Sequence, residues 1–161
     1  RTIGLTSTNE KATICKSKFG FDEIINYRQV NNLSDSLKKI APNGIDCFFD
    51  NVGGIQFDAV MENLNFKARI VICGTIGMPS FPIPIGPRVN RTLLIKRAKI
   101  EGLLVLDHFN KYQEIYNKLL KWYLEGKLVS EEDISDGLES APASLVNILN
   151  GLNLGKQLVK L

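Results

Sequence analysis

Histidine is almost absent from this chain, and His108 is its only one. A single imidazole cannot assemble a metal site, and in a surface loop it needs no catalytic role. Cysteine is sparse too: Cys15, Cys47 and Cys73 lie far apart in apolar segments and never in C-x-x-C spacing. That excludes a zinc knuckle or redox pair, so no metal is expected. Three reduced, mostly buried thiols in a cytoplasmic protein are expected instead. No apolar run approaches the roughly 20 residues of a membrane span. Charge of neither sign dominates. The formal net charge is +3, with basic residues interspersed among acidic ones, so nucleic acid and anionic membrane are not expected as partners. Repeats and low-complexity tracts are missing. So is any G-x-G-x-x-G in all 161 residues.

What is present alternates. Thr2–Thr6 reads as a short strand running into Ser7, Thr8 and Asn9, which offer N-cap oxygens, with Glu10 in the first helical turn. A helix over Lys11–Lys18 follows, stopped at Gly20, then a strand over Glu23–Tyr27 and a helix over Leu33–Ile40 ended by Ala41-Pro42-Asn43-Gly44. Ile45–Phe49 is strand-like. Phe57, Val60, Met61 and Leu64 form the apolar face of the next helix, and Ala68–Cys73 is a further core strand. Strand–helix alternation predicts an α/β fold, a Rossmann-like doubly wound parallel sheet. Such a sheet carries its Gly-rich turn after its first strand. The sequence is therefore expected to enter the sheet at the second strand, lacking the first βα unit.

Residues 75–87 break the rhythm with a Pro-rich loop, and loops of this length are often lids or binding loops. A helix over Asn90–Ala98, a strand over Ile100–Leu106 and a long helix from Asn110 to Leu124 follow. Ile115, Leu119, Trp122 and Tyr123 make the last helix amphipathic and are expected in the core. The remainder predicts a helix after Ala141-Pro142 and a final strand over Gln157–Leu161.

Ligands of open parallel sheets sit at the carboxyl ends of the strands. The first strand ends in hydroxyls and an amide, without the acid that would bind a ribose 2′-hydroxyl and repel a 2′-phosphate. Lys11 lies just beyond it, and Tyr27 and Arg28 end the next strand. Helix amides, small polar side chains and a lysine suit a phosphate. The same residues also fit a solvated helix lysine and a half-buried strand aromatic. Asp50-Asn51-Val52-Gly53-Gly54 brings backbone close to a ligand and offers Asn51 as donor and acceptor. A plain strand-to-helix turn uses the same residue types. Cys73-Gly74-Thr75-Ile76 is a similar glycine-bearing end.

Three runs together resemble the medium-chain dehydrogenase/reductase superfamily: Phe19-Gly-Phe-Asp-Glu-Ile-Ile-Asn-Tyr-Arg, Asp50-Asn-Val-Gly-Gly and Ala68-Arg-Ile-Val-Ile-Cys-Gly. Gly86-Pro-Arg, Leu120-Lys-Trp-Tyr-Leu-Glu-Gly-Lys, Gly137-Leu-Glu-Ser-Ala-Pro and Asn153-Leu-Gly-Lys are similar to its zinc-free prostaglandin reductase/2-alkenal reductase branch. The resemblance covers the C-terminal half of such an enzyme. It implies that Lys11 and Tyr27 bind the 2′-phosphate of NADPH. It further implies that Asn51 and the segment Cys73, Gly74, Thr75, Ile76, Gly77, Met78 and Pro79 line the cofactor. The backbone of Leu103, Leu104 and Val105 would lie along the nicotinamide, and Asn153 would reach back to the cofactor. The implied reaction is hydride transfer from NADPH to the β-carbon of an α,β-unsaturated aldehyde or ketone.

The resemblance also implies two parts, a nucleotide-binding domain over residues 1–126 and a return segment, 127–161, that packs on a catalytic domain. Where the family often carries a tyrosine near substrate, this chain has Met78 and Phe81 in Gly77–Pro87 and no tyrosine. The apolar strand over Ile100–Leu106 is expected at the sheet edge, where an open edge invites pairing, and the resemblance implies a homodimer with a continuous sheet there. A catalytically silent NADPH-binding regulatory or scaffold module would keep the same cofactor residues. A methyltransferase-like domain would leave Lys11 and Tyr27 without a purpose.

Overall fold

A computed structural model describes residues 1–79 and 81–161; Ser80, within the Pro-rich loop, lies outside the described residues. The first two strands, β1 (Ile3–Thr6) and β2 (Glu23–Asn26), are joined by helix α1 (Asn9–Ser17). The Thr8 hydroxyl accepts the Lys11 amide at 3.2 Å and fixes the start of that helix. Helix α2 (Leu33–Ile40) is capped in the same way by the Asn32 side chain, which accepts the Asp35 amide at 3.0 Å. Strand β3 (Ile45–Asp50), helix α3 (Ile55–Glu62) and strand β4 (Leu64–Ile72) form the next unit. Helix α4 (Asn90–Lys96) leads to strand β5 (Lys99–Gly102).

All strand pairs are parallel. β1 pairs with β2, and β3, β4 and β5 form a second sheet with β4 in the middle. This matches the doubly wound order with one strand position open between β1 and β3. A groove of about 440 Å³ lies there, lined by Ile3 and Leu5 of β1 and by Asp46, Cys47 and Phe48 of β3. The fold is thus α/β and Rossmann-like, in two ladders where the sequence predicted one sheet. The core consists of Ile25, Leu37, Ala59, Val60, Met61, Leu64, Ala68 and Ile70.

Four differences from the sequence reading have physical causes. Leu64, expected on a helix face, instead opens β4, which starts four residues before Ala68 and carries Lys67 at φ 61° where the register with β3 is irregular. The strand expected over Ile100–Leu106 stops at Gly102. The Leu103 amide makes one more ladder bond, to the Ile72 carbonyl at 2.8 Å, and β4 offers no strand beyond that point. Val105–Lys111 then turns as a 3₁₀ helix before helix α5 (Tyr112–Leu124). The stripe Ile115, Leu119, Trp122 and Tyr123 on α5 is exposed, because α5 packs mainly on that turn. Cys47 and Cys73 are exposed as well, and only Cys15 is half-buried.

The tail forms a third parallel pair, strand β6 (Glu132–Asp136) beside strand β7 (Lys156–Lys160), linked by helix α6 (Ala141–Leu149). β6 gave no sequence signal, since Ile134 is its only apolar residue. No helix among the described residues is long and apolar enough to cross a membrane.

Candidate functional site

Two clusters form at the carboxyl ends of the strands. In the first, the Tyr27 amide donates to the Thr6 carbonyl at 3.0 Å, carrying the β1–β2 ladder one step past the strand. The Asn26 amide group donates to the Asn9 side chain at 2.9 Å, so the end of β2 is tied to the start of α1. The Thr6 hydroxyl donates to the Thr8 carbonyl at 3.2 Å. Lys11 rises from the first turn of α1, and its Nζ donates to the Gly151 carbonyl at 2.6 Å. The loop after α6 is thereby brought against the first strand, with Asn153 two residues on. Asn153 donates to the Gly155 carbonyl at 2.9 Å, which fixes the tip of that loop. Lys11, Tyr27 and the Asn153 loop therefore belong to one end of the β1–β2 ladder. Glu10 is exposed on α1, and among the described residues no carboxylate bonds Thr6, Thr8 or Lys11.

The second cluster is built on Asp50, which opens the Asp50–Gly54 run named from the sequence but was given no role of its own there. Its carboxylate is 3% exposed and accepts the Val52 and Gly53 amides, each at 2.9 Å. Two charge-assisted bonds hold the turn and direct Asn51 outward. Gly53 has φ 73°, which few residues other than glycine adopt cheaply. The end of β4 clasps this turn. The Ile76 amide donates to the Asn51 carbonyl at 3.3 Å and the Gly77 amide to the Val52 carbonyl at 2.9 Å. Gly77 is needed for the clasp, since a Cβ there would lie 2.7 Å from the Val52 side chain. Asn51 and the segment from Cys73 to Met78 are thus brought together, with Leu103 joined to the end of β4. The acceptor pattern at Asp50 is the signal that sequence spacing could have supplied: an Asp two and three residues ahead of amides in a Gly-bearing turn.

Beside this cluster, Met78, Pro84 and Ile85 of the Pro-rich loop line one side of an open pocket of about 320 Å³, with Gly54, Phe57 and Asp58 on the other. Phe81 is not among its lining residues and is exposed. Asp58 is half-buried, and burial, with the charge of Glu62, holds its carboxyl above the usual carboxylate range. A raised value means that the charged form costs stability in the fold, and the cost fades as pH falls through that value. Asp58→Asn should therefore raise the thermal midpoint at neutral pH and give no gain in acid below the ordinary carboxylate range. Equal gains at both pH values in a melting series would contradict this.

With this geometry in place, comparisons with known proteins are decisive at the level of family. The zinc-binding dehydrogenase model matches residues 1–124. The chain belongs to that family. Within the medium-chain dehydrogenase/reductase superfamily it corresponds to the C-terminal half. It is 41% identical over 157 residues to a 2-alkenal reductase (NADP(+)-dependent) of Nicotiana tabacum, covering 98% of this chain and 46% of the relative. It is 36% identical over 162 residues to prostaglandin reductase 1 of Bos taurus, covering 99% and 49%. CurA of Vibrio vulnificus, solved in complex with NADPH, superposes with a TM-score of 0.91 at 38% identity, covering 99% of this chain and 49% of that one. The chain spans about half the length of the relatives it matches. Despite the family's description, no group of three or more His, Cys, Asp or Glu side chains that could hold a metal occurs among the described residues. The described residues thus offer no donor set of the size that a bound zinc ion takes.

Proposed function

We propose that this chain is the NADPH-binding part of an enzyme that reduces the carbon–carbon double bond of α,β-unsaturated aldehydes or ketones. The observation that carries the proposal is the β1 end, where a lysine, two hydroxyls and a helix N-terminus come together and, among the described residues, no carboxylate bonds Thr6, Thr8 or Lys11. Such a donor set suits the 2′-phosphate that separates NADPH from NADH. Lys11 and Tyr27 would hold that phosphate. Asn51, Gly74 and the Cys73–Pro79 segment would line the rest of the cofactor, as would Leu103–Val105 and Asn153. The bound cofactor would supply the hydride. The chain's own task is to orient it and exclude water over the reacting face. A further strand in the groove between β1 and β3 would complete the sheet, and residues 127–161 would pack on a catalytic domain. Relatives named for alkenals and prostaglandins support the substrate class.

The full-length protein should oxidise NADPH in the presence of a short 2-alkenal and yield the saturated aldehyde. NADPH binding without turnover across enals and enones would favour a silent module instead. Three free thiols go with a cytoplasmic location.

A homodimer belongs to the same proposal. β5 pairs with β4 on one side, and its other edge has no partner among the described residues. An open edge followed by exposed Leu104 and Val105 invites a second copy. Light scattering of the full-length protein should give twice the subunit mass, and Gly102→Pro should shift it toward monomer by removing a donor on the free edge, since the neighbouring Leu103 amide faces β4. A monomeric mass for the unaltered protein would contradict the dimer.

A further inference from the structure

We infer that Gly151 is a positioning residue for Lys11, and that the cap of α6 thereby sets the preference for a 2′-phosphate. This rests on the cofactor reading above and extends it to the C-terminal cap of α6, which that reading leaves without a role.

Helix α6 ends in a paired-bond cap. The Gly151 amide donates to the Ile148 carbonyl at 2.9 Å and the Leu152 amide to the Asn147 carbonyl at 2.8 Å, with Gly151 at φ 67°. These two bonds and the left-handed glycine define a Schellman cap. They leave the Gly151 carbonyl free to point out of the cap, where it accepts from Lys11 Nζ at 2.6 Å across 140 residues of sequence. Carbonyls at a helix C-terminus carry partial negative charge, so the ammonium is held by the end of α6 as well as by one oxygen.

The tail is itself fixed near α1. Lys18 pairs with Glu131, the Lys156 amide donates to the Glu131 carbonyl at 2.8 Å, and the Leu154 amide donates to Asp133 at 3.0 Å. An unrestrained lysine carries several rotatable bonds and pays rotamer entropy to meet a phosphate. Here one of the three ammonium donors is already spent on a fixed acceptor, and two remain for an anion. The cap thus pre-aims the charge. It contributes nothing to a cofactor that ends in a bare ribose hydroxyl.

Gly151 can be altered without crowding, since a Cβ would meet only Ser7 Oγ, at 3.8 Å. The positive φ decides the outcome. Asn tolerates this conformation, Ala adopts it at a cost, and β-branched Val resists it and should swing the carbonyl away. NADPH and NADH affinities are to be measured by titration on the full-length protein carrying Gly151→Asn, Gly151→Ala and Gly151→Val. Each is made alone and in a Lys11→Ala background.

Gly151→Val should weaken NADPH about fivefold to tenfold and leave NADH unchanged, with Ala intermediate and Asn near the original. None should have a further effect once Lys11 is Ala. Should the Val protein not fold, the Ala and Asn pair carries the same comparison. Losses shared by both cofactors, or persisting in the Lys11→Ala background, would show a merely structural cap and overturn the inference. So would no change at all. If Lys11→Ala alone failed to discriminate the cofactors, the fault would lie with the NADPH reading itself.

Discussion

Replacing Lys11 by Ala in the full-length protein should raise the Kd for NADPH about tenfold to a hundredfold and leave that for NADH nearly unchanged. A charge-assisted hydrogen bond lost from a phosphate contact costs about 1.5–3 kcal/mol, and each 1.4 kcal/mol is roughly a factor of ten. The selectivity follows from chemistry, since only NADPH offers the 2′-phosphate. It follows from position as well. Lys11 stands in the first turn of α1, whose start is fixed by the Thr8 hydroxyl, and its ammonium is held by the Gly151 carbonyl. Fluorescence titration with each cofactor checks the expectation. Equal losses for both would remove Lys11 from the phosphate site.

Asp50→Ala is the second change with a large expected effect, and its signature is the opposite. The buried carboxylate accepts two amides, of Val52 in a half-buried position and of Gly53 in a buried one, and its removal leaves both without that partner. A buried orphaned amide costs about 1–3 kcal/mol and the half-buried Val52 amide regains water in part, so a loss of about 2–4 kcal/mol is expected in urea unfolding. The turn also sets Asn51 and receives Ile76 and Gly77 from β4. Affinity for NADPH and NADH should therefore fall together. Asp50→Asn keeps one acceptor oxygen and should recover about half of the loss. An Asp50→Ala protein with unaltered stability and affinity would contradict the role given to this turn.

Local chemistry made much of the fold legible. Helix α2 begins and ends where Asn32 and Ala41-Pro42 place its limits, because a cap and a helix breaker act within a turn. The parallel pairing of β3, β4 and β5 follows from alternating strands and helices, which admit few topologies. Where the reading missed, the deciding contact was distant. β6 carries one apolar residue and exists because β7 lies beside it. The α5 stripe is amphipathic by spacing, yet spacing does not say whether a surface is there to receive it. The expected strand over Ile100–Leu106 had the right composition and outran the end of β4. At the site, glycines and the lysine were visible as residue types. The Asp50 turn was within reach of sequence spacing, whereas the Gly151 contact spans too much of the chain for any pattern to reveal.

Recognition of the 2′-phosphate can be read without any substitution, by titrating the full-length protein with adenosine 2′,5′-bisphosphate and with 5′-AMP. These ligands share the adenosine and the 5′-phosphate and differ only in the group assigned to Lys11 and Tyr27. The bisphosphate should bind at least about tenfold tighter, with an advantage that shrinks as salt is raised. Equal affinity for the two would contradict an NADPH site at the end of β1.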